Sequence, residues 1–296
     1  MEELGYVYHR GAATLRTRKS SVIGLIVTDS SNPFFAEMSM GIEQSLSDAG
    51  YLTVLTNTFD EPDRFEQLVL TMLEHPVDAL IYVPVAQPRL PIMKSMEAVP
   101  ALAVTREPPA EMDSLTPDDF AGGRIAAEHL ADRHARRRMV YLGGPATAGP
   151  RGRRVDGVRA ALRGSDAELV AQLPGVTSIE SGLALAEQLL SSEIAFDSVI
   201  CHSDLVAFAL CHVLRTKGRV VPEDISVIGF DGLDQGAIFA PTITSVSVGP
   251  AKLGRAAAEW VLQALDDAGP SKGQQLLEPH LLVRESCGCR PLSDVA

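Results

Sequence analysis

Residues 22–35 read Val-Ile-Gly-Leu-Ile-Val-Thr-Asp-Ser-Ser-Asn-Pro-Phe-Phe, and this stretch decides the fold. The apolar run 22–27 has the length of a buried strand. Pro33 suits the first turn of a helix, where its missing N–H costs nothing. A buried strand that leads at once into a helix is the unit from which parallel α/β sheets are built.

The same unit recurs along the whole chain. Further strand-like apolar runs lie at 52–57, 79–84, 101–105, 139–143, 168–173, 198–202, 225–230 and 243–248. Between most of them apolar residues recur at helical spacing, most clearly in 34–49, 64–73, 119–131 and 252–265. These strands are too many for one sheet of five or six strands. We therefore predict an α/β fold with two doubly wound parallel-sheet subdomains.

The expected domain boundaries follow from a polar, basic turn at 133–138. We assign 1–20 to an N-terminal basic segment. The first subdomain takes 21–134 plus about 247–276, and the second takes 135–246 plus about 277–290. In such folds a ligand sits beyond the carboxyl ends of the strands, here in a cleft between two lobes that closes by hinging.

Composition sets the broad class. The chain has 296 residues, 46% hydrophobic and 22% charged, with a net charge of -12. This is a globular composition, and the acidic excess argues against a surface that binds nucleic acid throughout. No apolar run approaches the ~20 residues of a membrane helix, and the N-terminus does not resemble a signal peptide. We therefore expect a cytoplasmic protein without membrane contact.

The N-terminal segment is locally basic despite the acidic total. No acid lies between His9 and Ser20. Its candidate DNA contacts are Arg10, Ala12, Leu15, Arg16 and Arg18. Cations answer phosphates, a small residue permits close approach, and a leucine can wedge between base steps in the minor groove. The second basic cluster, 133–138, is interpreted as a solvated turn.

The cysteines predict neither a metal site nor a disulfide. Cys201 and Cys211 lie in apolar patterns typical of buried thiols. Cys287 and Cys289 form one Cys-x-Cys pair near the tail, without a second pair or histidines at a defined spacing. We therefore expect no metal.

Several polar residues lie where strands end and helices begin. Arg154 opens a helix and can hold a hydroxyl pair or a carboxylate. Asp231 closes the run 225–230, and Asp204 and Asp118 open helices. Capping or turn formation alone explains the three acids equally well.

Enzymatic signatures are missing from the sequence. The glycine-rich loop 143–152 lacks both the phosphate-loop and the dinucleotide spacing. His202, Ser203 and Asp204 are adjacent, whereas a catalytic triad needs its members on different elements. We expect no enzyme and no cofactor.

The order of several weak motifs resembles one family across essentially the whole chain. They are the basic segment with Leu15, the run 22–27, Asn-Pro-Phe-Phe (32–35), Gly-Ile-Glu with Ala-Gly-Tyr (41–51), Asp118-Asp119, Arg154 before Val-Asp-Gly, Ser-Asp-Leu-Val-Ala (203–207), 221–231, Pro-Thr-Ile-Thr-Ser-Val (241–246) and Leu-Val-Arg-Glu-Ser (282–286). Together they resemble the LacI/GalR transcription repressors.

This resemblance implies a periplasmic-binding-protein-like fold and a set of site residues. Leu15 matches the intercalating hinge leucine, while Arg154 and Asp231 match positions that hold ligand hydroxyls or a carboxylate. Further ligand-binding positions are Phe34, Phe35, Asp118, Thr177 and Asp204. Thr177 departs from the pattern, since sugar and purine binders often present an aromatic residue there.

The resemblance also implies the function. We expect a homodimeric repressor that senses a small, sugar-like effector and binds operator DNA only in a full-length form. The helix-turn-helix of the family should lie ahead of residue 1; trimming, a start placed at an internal methionine, or loss of that domain would each explain its absence from the sequence. The alternative is the solute-binding protein of a sugar transporter, which shares the two-lobed fold. A sugar kinase or an NAD-dependent oxidoreductase is a third class, for which we find no phosphate cradle.

Overall fold

The computed structural model describes residues 19–86, 88, 90–109, 111–147, 149–266 and 273–289. Packing divides the chain into two units. The first consists of Met1–Ser31, Phe35–Leu115 and Gly254–Gln275, and the second of Asn32–Phe34, Thr116–Leu253 and Leu276–Ala296. In each unit a mostly parallel sheet is flanked by helices, so the expected α/β fold class is confirmed.

The first unit is built on a six-stranded sheet in the order β11-β5-β4-β3-β1-β2. Its strands are β1 (Val22–Val27), β2 (Leu52–Asn57), β3 (Ala79–Tyr82), β4 (Ala101–Val104), β5 (Ser114–Pro117) and β11 (Gln274–Leu277). The helices are α1 (Pro33–Asp48), α2 (Pro62–Glu74), α3 (Leu90–Ser95) and, near the end of the chain, α8 (Pro250–Leu265). Phe65 and Val69 of α2 pack with Ile26 and Tyr82 in its core.

The second unit repeats this plan with the sheet order β12-β10-β9-β8-β6-β7. Its strands are β6 (Arg138–Leu142), β7 (Glu168–Leu173), β8 (Ser198–Cys201), β9 (Ser226–Phe230), β10 (Thr244–Ser247) and β12 (His280–Leu282). The helices are α4 (Asp119–Glu128), α5 (Gly149–Ala161), α6 (Ile179–Leu190) and α7 (Asp204–Thr216). A π-helical turn, His129–Arg133, extends α4.

The predicted strands are found, and each begins and ends within two residues of its expected bounds. The continuous apolar runs were sufficient signals for central strands such as β1 and β3, which are buried on both faces, whereas the edge strand β2 is largely exposed. The end of the described chain adds two strands, β11 and β12, which join different sheets. β5 was not predicted, because Ser-Leu-Thr-Pro is short and half polar.

The observed division differs from the expected boundary in residues 116–134. These residues pack in the second unit, where α4 lies against α5. The reason is a very close helix contact: a Cβ on Gly157 of α5 would lie 2.0 Å from the carbonyl oxygen of Phe120 on α4. Only glycine, which has no Cβ, allows the two helix backbones to approach this closely.

This contact predicts the effect of one methyl group. Gly157→Ala should destabilise the protein by about 1–3 kcal/mol, because a backbone carbonyl cannot turn aside as a side chain can. Gly152→Ala, on the same helix and with no neighbour within 4 Å of its Cβ, is the matched control and should be neutral or stabilising. Urea unfolding measures both; equal effects would contradict the close packing.

Among the described residues, no helix is both long and apolar enough to cross a membrane.

Candidate functional site

The candidate site lies at the carboxyl edge of the second sheet. β6 and β8 are followed by Gly143 and His202, and β9 is followed by Asp231. Parallel strands end at the same edge, and ligands of such folds bind there. The helices α4 and α5 bring an acid and a guanidinium, Asp119 and Arg154, to this edge.

Arg154 is fixed by two short hydrogen bonds. Its Nε donates to Oδ1 of Asp119 over 2.6 Å, and its Nη1 donates to the carbonyl oxygen of His202 over 2.7 Å. The side chains of Arg154 and Asp119 are only 11% and 5% exposed. Charge-assisted bonds in so little solvent hold the guanidinium in one orientation.

Aromatic rings surround this ion pair. The Cζ atom of Arg154 lies 4.2 Å from the centroid of the Phe230 ring, a cation–π distance. Tyr141 is fully buried, and its hydroxyl lies 2.9 Å from Nδ1 of His202. Arg151 donates to the carbonyl oxygen of Gly143 and lies over the Tyr141 ring. These contacts stiffen the edge around Arg154.

Two carboxyl groups, those of Asp119 and Asp231, interact electrostatically with Arg154. Burial raises the pKa of Asp119, and Arg154 opposes that rise. Burial raises the pKa of Asp231 well above its ordinary value, Asp204 adds to the rise, and Arg154 opposes it. Burial acts against the charge of Arg154, but Asp119, Tyr141 and Asp231 together outweigh it, so the pKa of Arg154 is raised. Arg154 therefore stays charged, while Asp231 holds its proton more readily than an exposed acid.

Asp204 organises the loop that carries Asp231. It is fully buried, and its carboxylate accepts hydrogen bonds from the backbone N–H of Leu233 and from the hydroxyl of Ser245, each over 2.7 Å. Asp231 itself is half-buried and has a φ of 108°, which few residues other than glycine adopt. Asp204 and its partners thus fix a strained backbone at the site.

Comparison with known proteins identifies the family. Residues 20–285 match the model for periplasmic binding proteins and the sugar-binding domain of the LacI family. The HTH-type transcriptional regulator CelR of Thermobifida fusca is 30% identical over 97% of this chain and 87% of its own length.

The chain belongs to the LacI family.

Two further relatives agree with this membership. The ribose operon repressor of Escherichia coli strain K12 is 26% identical over 97% of this chain and 88% of its own length. The structure of a transcriptional regulator CelR–cellobiose complex superposes with a TM-score of 0.81, at 28% identity, over 96% of this chain and 88% of that one. Since these relatives are regulators, the LacI-family chain is a ligand-responsive transcriptional regulator and not the binding protein of a transporter.

The structure of this LacI-family chain locates the remaining ligand-binding candidates. Asp118 is the N-cap of α4, where its side chain accepts from the N–H of Ala121. Thr177 lies partly exposed in the loop between β7 and α6. Phe34 is buried and Phe35 partly exposed in the first turn of α1. A ligand contact stays a prediction for each of them.

The expected DNA contacts, from Arg10 to Arg18, lie outside the described residues. The second basic cluster, in contrast, is described. Nη2 of Arg136 donates to the carbonyl oxygen of Pro222 over 2.5 Å, and Nη1 of Arg138 pairs with Glu168. Arg136 and Arg138 of the turn at 133–138 therefore connect segments of the second unit at the amino edge of its sheet.

Sequence reasoning missed two residues of the site. Asp119 was interpreted together with Asp118 as an acid at the start of a helix, either a ligand contact or a capping residue, and its bond to Arg154 was not predicted. His202 was interpreted only as part of an adjacent His-Ser-Asp run, since its role is carried by a backbone carbonyl. The available signal was the pair of adjacent acids: only one of them, Asp118, is needed to cap α4, which leaves Asp119 able to pair with a cation.

The buried carboxyl group of Asp204 predicts that the free energy of unfolding depends on pH. Burial raises the pKa of Asp204 from 3.8 to about 7, although hydrogen bonds from Ser245 and Leu233 oppose the rise. Because the folded pKa exceeds the unfolded one, the associated stability is complete below about pH 3.8 and is lost as the pH rises through about 7. Asp204→Asn should abolish much of this loss between pH 5 and 8 in urea unfolding. Asp156→Asn, at an exposed acid, is the control and should keep the wild-type slope.

Proposed function

We propose that this regulator senses a sugar or a closely related polyhydroxylated metabolite at the carboxyl edge of its second sheet. The observation that carries the proposal is the guanidinium of Arg154, held by Asp119 and His202 next to Asp231. The similarity to a ribose operon repressor and to a regulator solved with cellobiose supports this ligand class.

The chemistry of the edge suits hydroxyl groups. A guanidinium has five N–H donors, and the bonds to Asp119 and His202 use two of them. The remaining capacity can donate to ligand oxygens, while the Asp231 carboxyl accepts from ligand hydroxyls. We further propose Phe34, Phe35, Asp118, Thr177 and Asp204 as ligand contacts, with Asp204 also holding the Asp231 loop.

Regulation follows from linkage. We propose a cytoplasmic homodimer that performs no catalysis and binds operator DNA, with Arg10, Ala12, Leu15, Arg16 and Arg18 at the DNA. The family membership supports this arrangement. Effector and operator must then change one another's affinity by the same factor.

A thermal-shift screen tests the ligand class. The panel contains pentoses, hexoses, disaccharides including cellobiose, purine bases and sugar phosphates. At a concentration of 100 Kd, a specific ligand adds about 2.7 kcal/mol of stability, which is a shift of several degrees in Tm for a protein of this size. We expect at least one neutral sugar to produce it. Shifts from purines or phosphorylated compounds alone would contradict the proposal.

A further inference from the structure

Two histidines and two cysteines meet at the amino edge of the second sheet. His129 lies in the π-helical turn after α4, and His134 lies in the turn that leads into β6. Cys287 and Cys289 follow β12 near the end of the described chain. One potential ligand atom from each of the four residues lies within 4.8 Å of all the others.

Four of the six distances between these ligand atoms are close to those of a tetrahedral zinc site. The Nε2 atoms of the two histidines are 3.2 Å apart. Nε2 of His129 lies 3.3 Å from Sγ of Cys287 and 3.7 Å from Sγ of Cys289, and Nε2 of His134 lies 3.4 Å from Sγ of Cys289. Zinc bonds of about 2.05 Å to nitrogen and 2.3 Å to sulfur at tetrahedral angles require about 3.4 Å between nitrogens and about 3.6 Å from nitrogen to sulfur.

The local backbone supports this convergence. Gly288, between the two cysteines, has a φ of 111°, and a Cβ there would lie 2.9 Å from Nδ1 of His134. Only glycine lets the Cys-Gly-Cys turn approach this ring. The π-helical turn that carries His129 is a rare irregularity that often marks functional sites.

Other hydrogen bonds hold the cysteine segment in place. The hydroxyl of Ser226 donates to the carbonyl oxygen of Cys287, and the N–H of Val227 donates to that of Ser286. Cys287 is fully buried in the core of the second unit. The sulfur atoms are therefore positioned by the fold rather than by a mobile tail.

We propose that His129, His134, Cys287 and Cys289 bind one Zn²⁺ ion in this regulator. Four protein ligands leave no open coordination position, which is the pattern of a structural rather than a catalytic site. Two thiolates and two imidazoles suit zinc better than the hard cations Mg²⁺ and Ca²⁺.

A bound ion would link the segment after β12, which carries Cys287 and Cys289, to the turns before β6, which carry His129 and His134. The histidines His134 and His129 lie 155 and 160 residues before Cys289 in sequence, so the metal closes a very long loop. The cluster lies at the amino edge of the sheet, where β6 begins. Arg154 and Asp231 lie at the opposite, carboxyl edge of the same sheet. The ion would thus stabilise the effector-binding unit without touching the effector.

Metal analysis of the full chain tests the proposal independently of any sugar or DNA. Protein purified without chelators or metal-affinity resin is assayed by inductively coupled plasma mass spectrometry. We expect about one zinc per chain. The double variant His134→Gln/Cys289→Ser should lose at least about nine-tenths of it and show a Tm lower by roughly 5 °C or more.

Matched variants and a second metal make the result decisive. Cys211→Ser and His212→Gln change the same residue types outside the cluster and should retain the zinc. Wild-type protein stripped of metal and reloaded with Co²⁺ should show the intense visible bands of a tetrahedral ion and a thiolate charge-transfer band, whether or not the double variant folds. Wild type that takes up neither metal, zinc retained by the double variant, a six-coordinate cobalt spectrum, or a Cys287–Cys289 disulfide would each overturn the proposal.

Discussion

Arg154→Met is expected to lower the free energy of unfolding by about 3–5 kcal/mol, because it leaves the buried carboxyl group of Asp119 without its partner. Asp119 is only 5% exposed and bonds Arg154 over 2.6 Å. Methionine preserves most of the volume, so a cavity contributes little. Urea unfolding at pH 7 measures the change.

A double-mutant cycle separates the ion pair from the packing. Adding Asp119→Asn to Arg154→Met should recover a large part of the loss, since no buried charge remains. Arg159→Met is the matched control on the same helix: Arg159 pairs with Asp156 at 3.4 Å, but both side chains are more than half exposed. It should cost at most about 1 kcal/mol. Equal losses for Arg154→Met and Arg159→Met would show that the Arg154–Asp119 pair does not hold the site.

Asp231→Asn is expected to weaken binding of the effector sugar by about 5- to 150-fold. Asparagine replaces one carboxyl oxygen by an amide nitrogen that cannot accept, a buried sugar hydroxyl left without an acceptor costs about 1–3 kcal/mol, and every 1.4 kcal/mol is a factor of ten in Kd. Asparagine keeps the size of the side chain and tolerates the positive φ of 108° better than alanine would. Calorimetric titration with the sugar found by the thermal screen gives the Kd.

The control for this change is Asp234→Asn, three residues along in the 3₁₀ turn Asp234–Ala237. It should bind the sugar with wild-type affinity. Sedimentation should show the same association state for wild type and Asp231→Asn. A variant that dissociates, or that binds as tightly as wild type, would assign Asp231 to the architecture instead of the ligand.

The sequence was sufficient for the central strands of both sheets because these strands are apolar on both faces. Runs such as 22–27 and 225–230 need no tertiary information to be recognised. The short elements were missed, among them β5 (Ser114–Pro117) and α3 (Leu90–Ser95), since they carry mixed residues and owe their conformation to neighbouring strands. Residues 116–134 were placed in the first subdomain for a related reason, because the α4–α5 contact depends on glycines.

For the candidate site, sequence predicted positions but not partners. Asp231 was found because it follows a strand and Arg154 because it was expected near the start of a helix, and both match a family pattern. The bond from Arg154 to Asp119 joins residues 35 apart, and nothing in the spacing distinguishes Asp119 from its capping neighbour. The cysteine–histidine cluster escaped for the same reason: its ligands do not follow the short spacings of known zinc motifs, and an irregular turn completes it.

The most direct test of the ligand-sensing account is a crystal structure of the regulator with the sugar that raises its Tm. The account predicts sugar hydroxyl oxygens within about 2.7–3.2 Å of the Arg154 guanidinium and of the Asp231 carboxyl group. A sugar bound elsewhere, with Arg154 and Asp231 making no contact to it, would contradict the account.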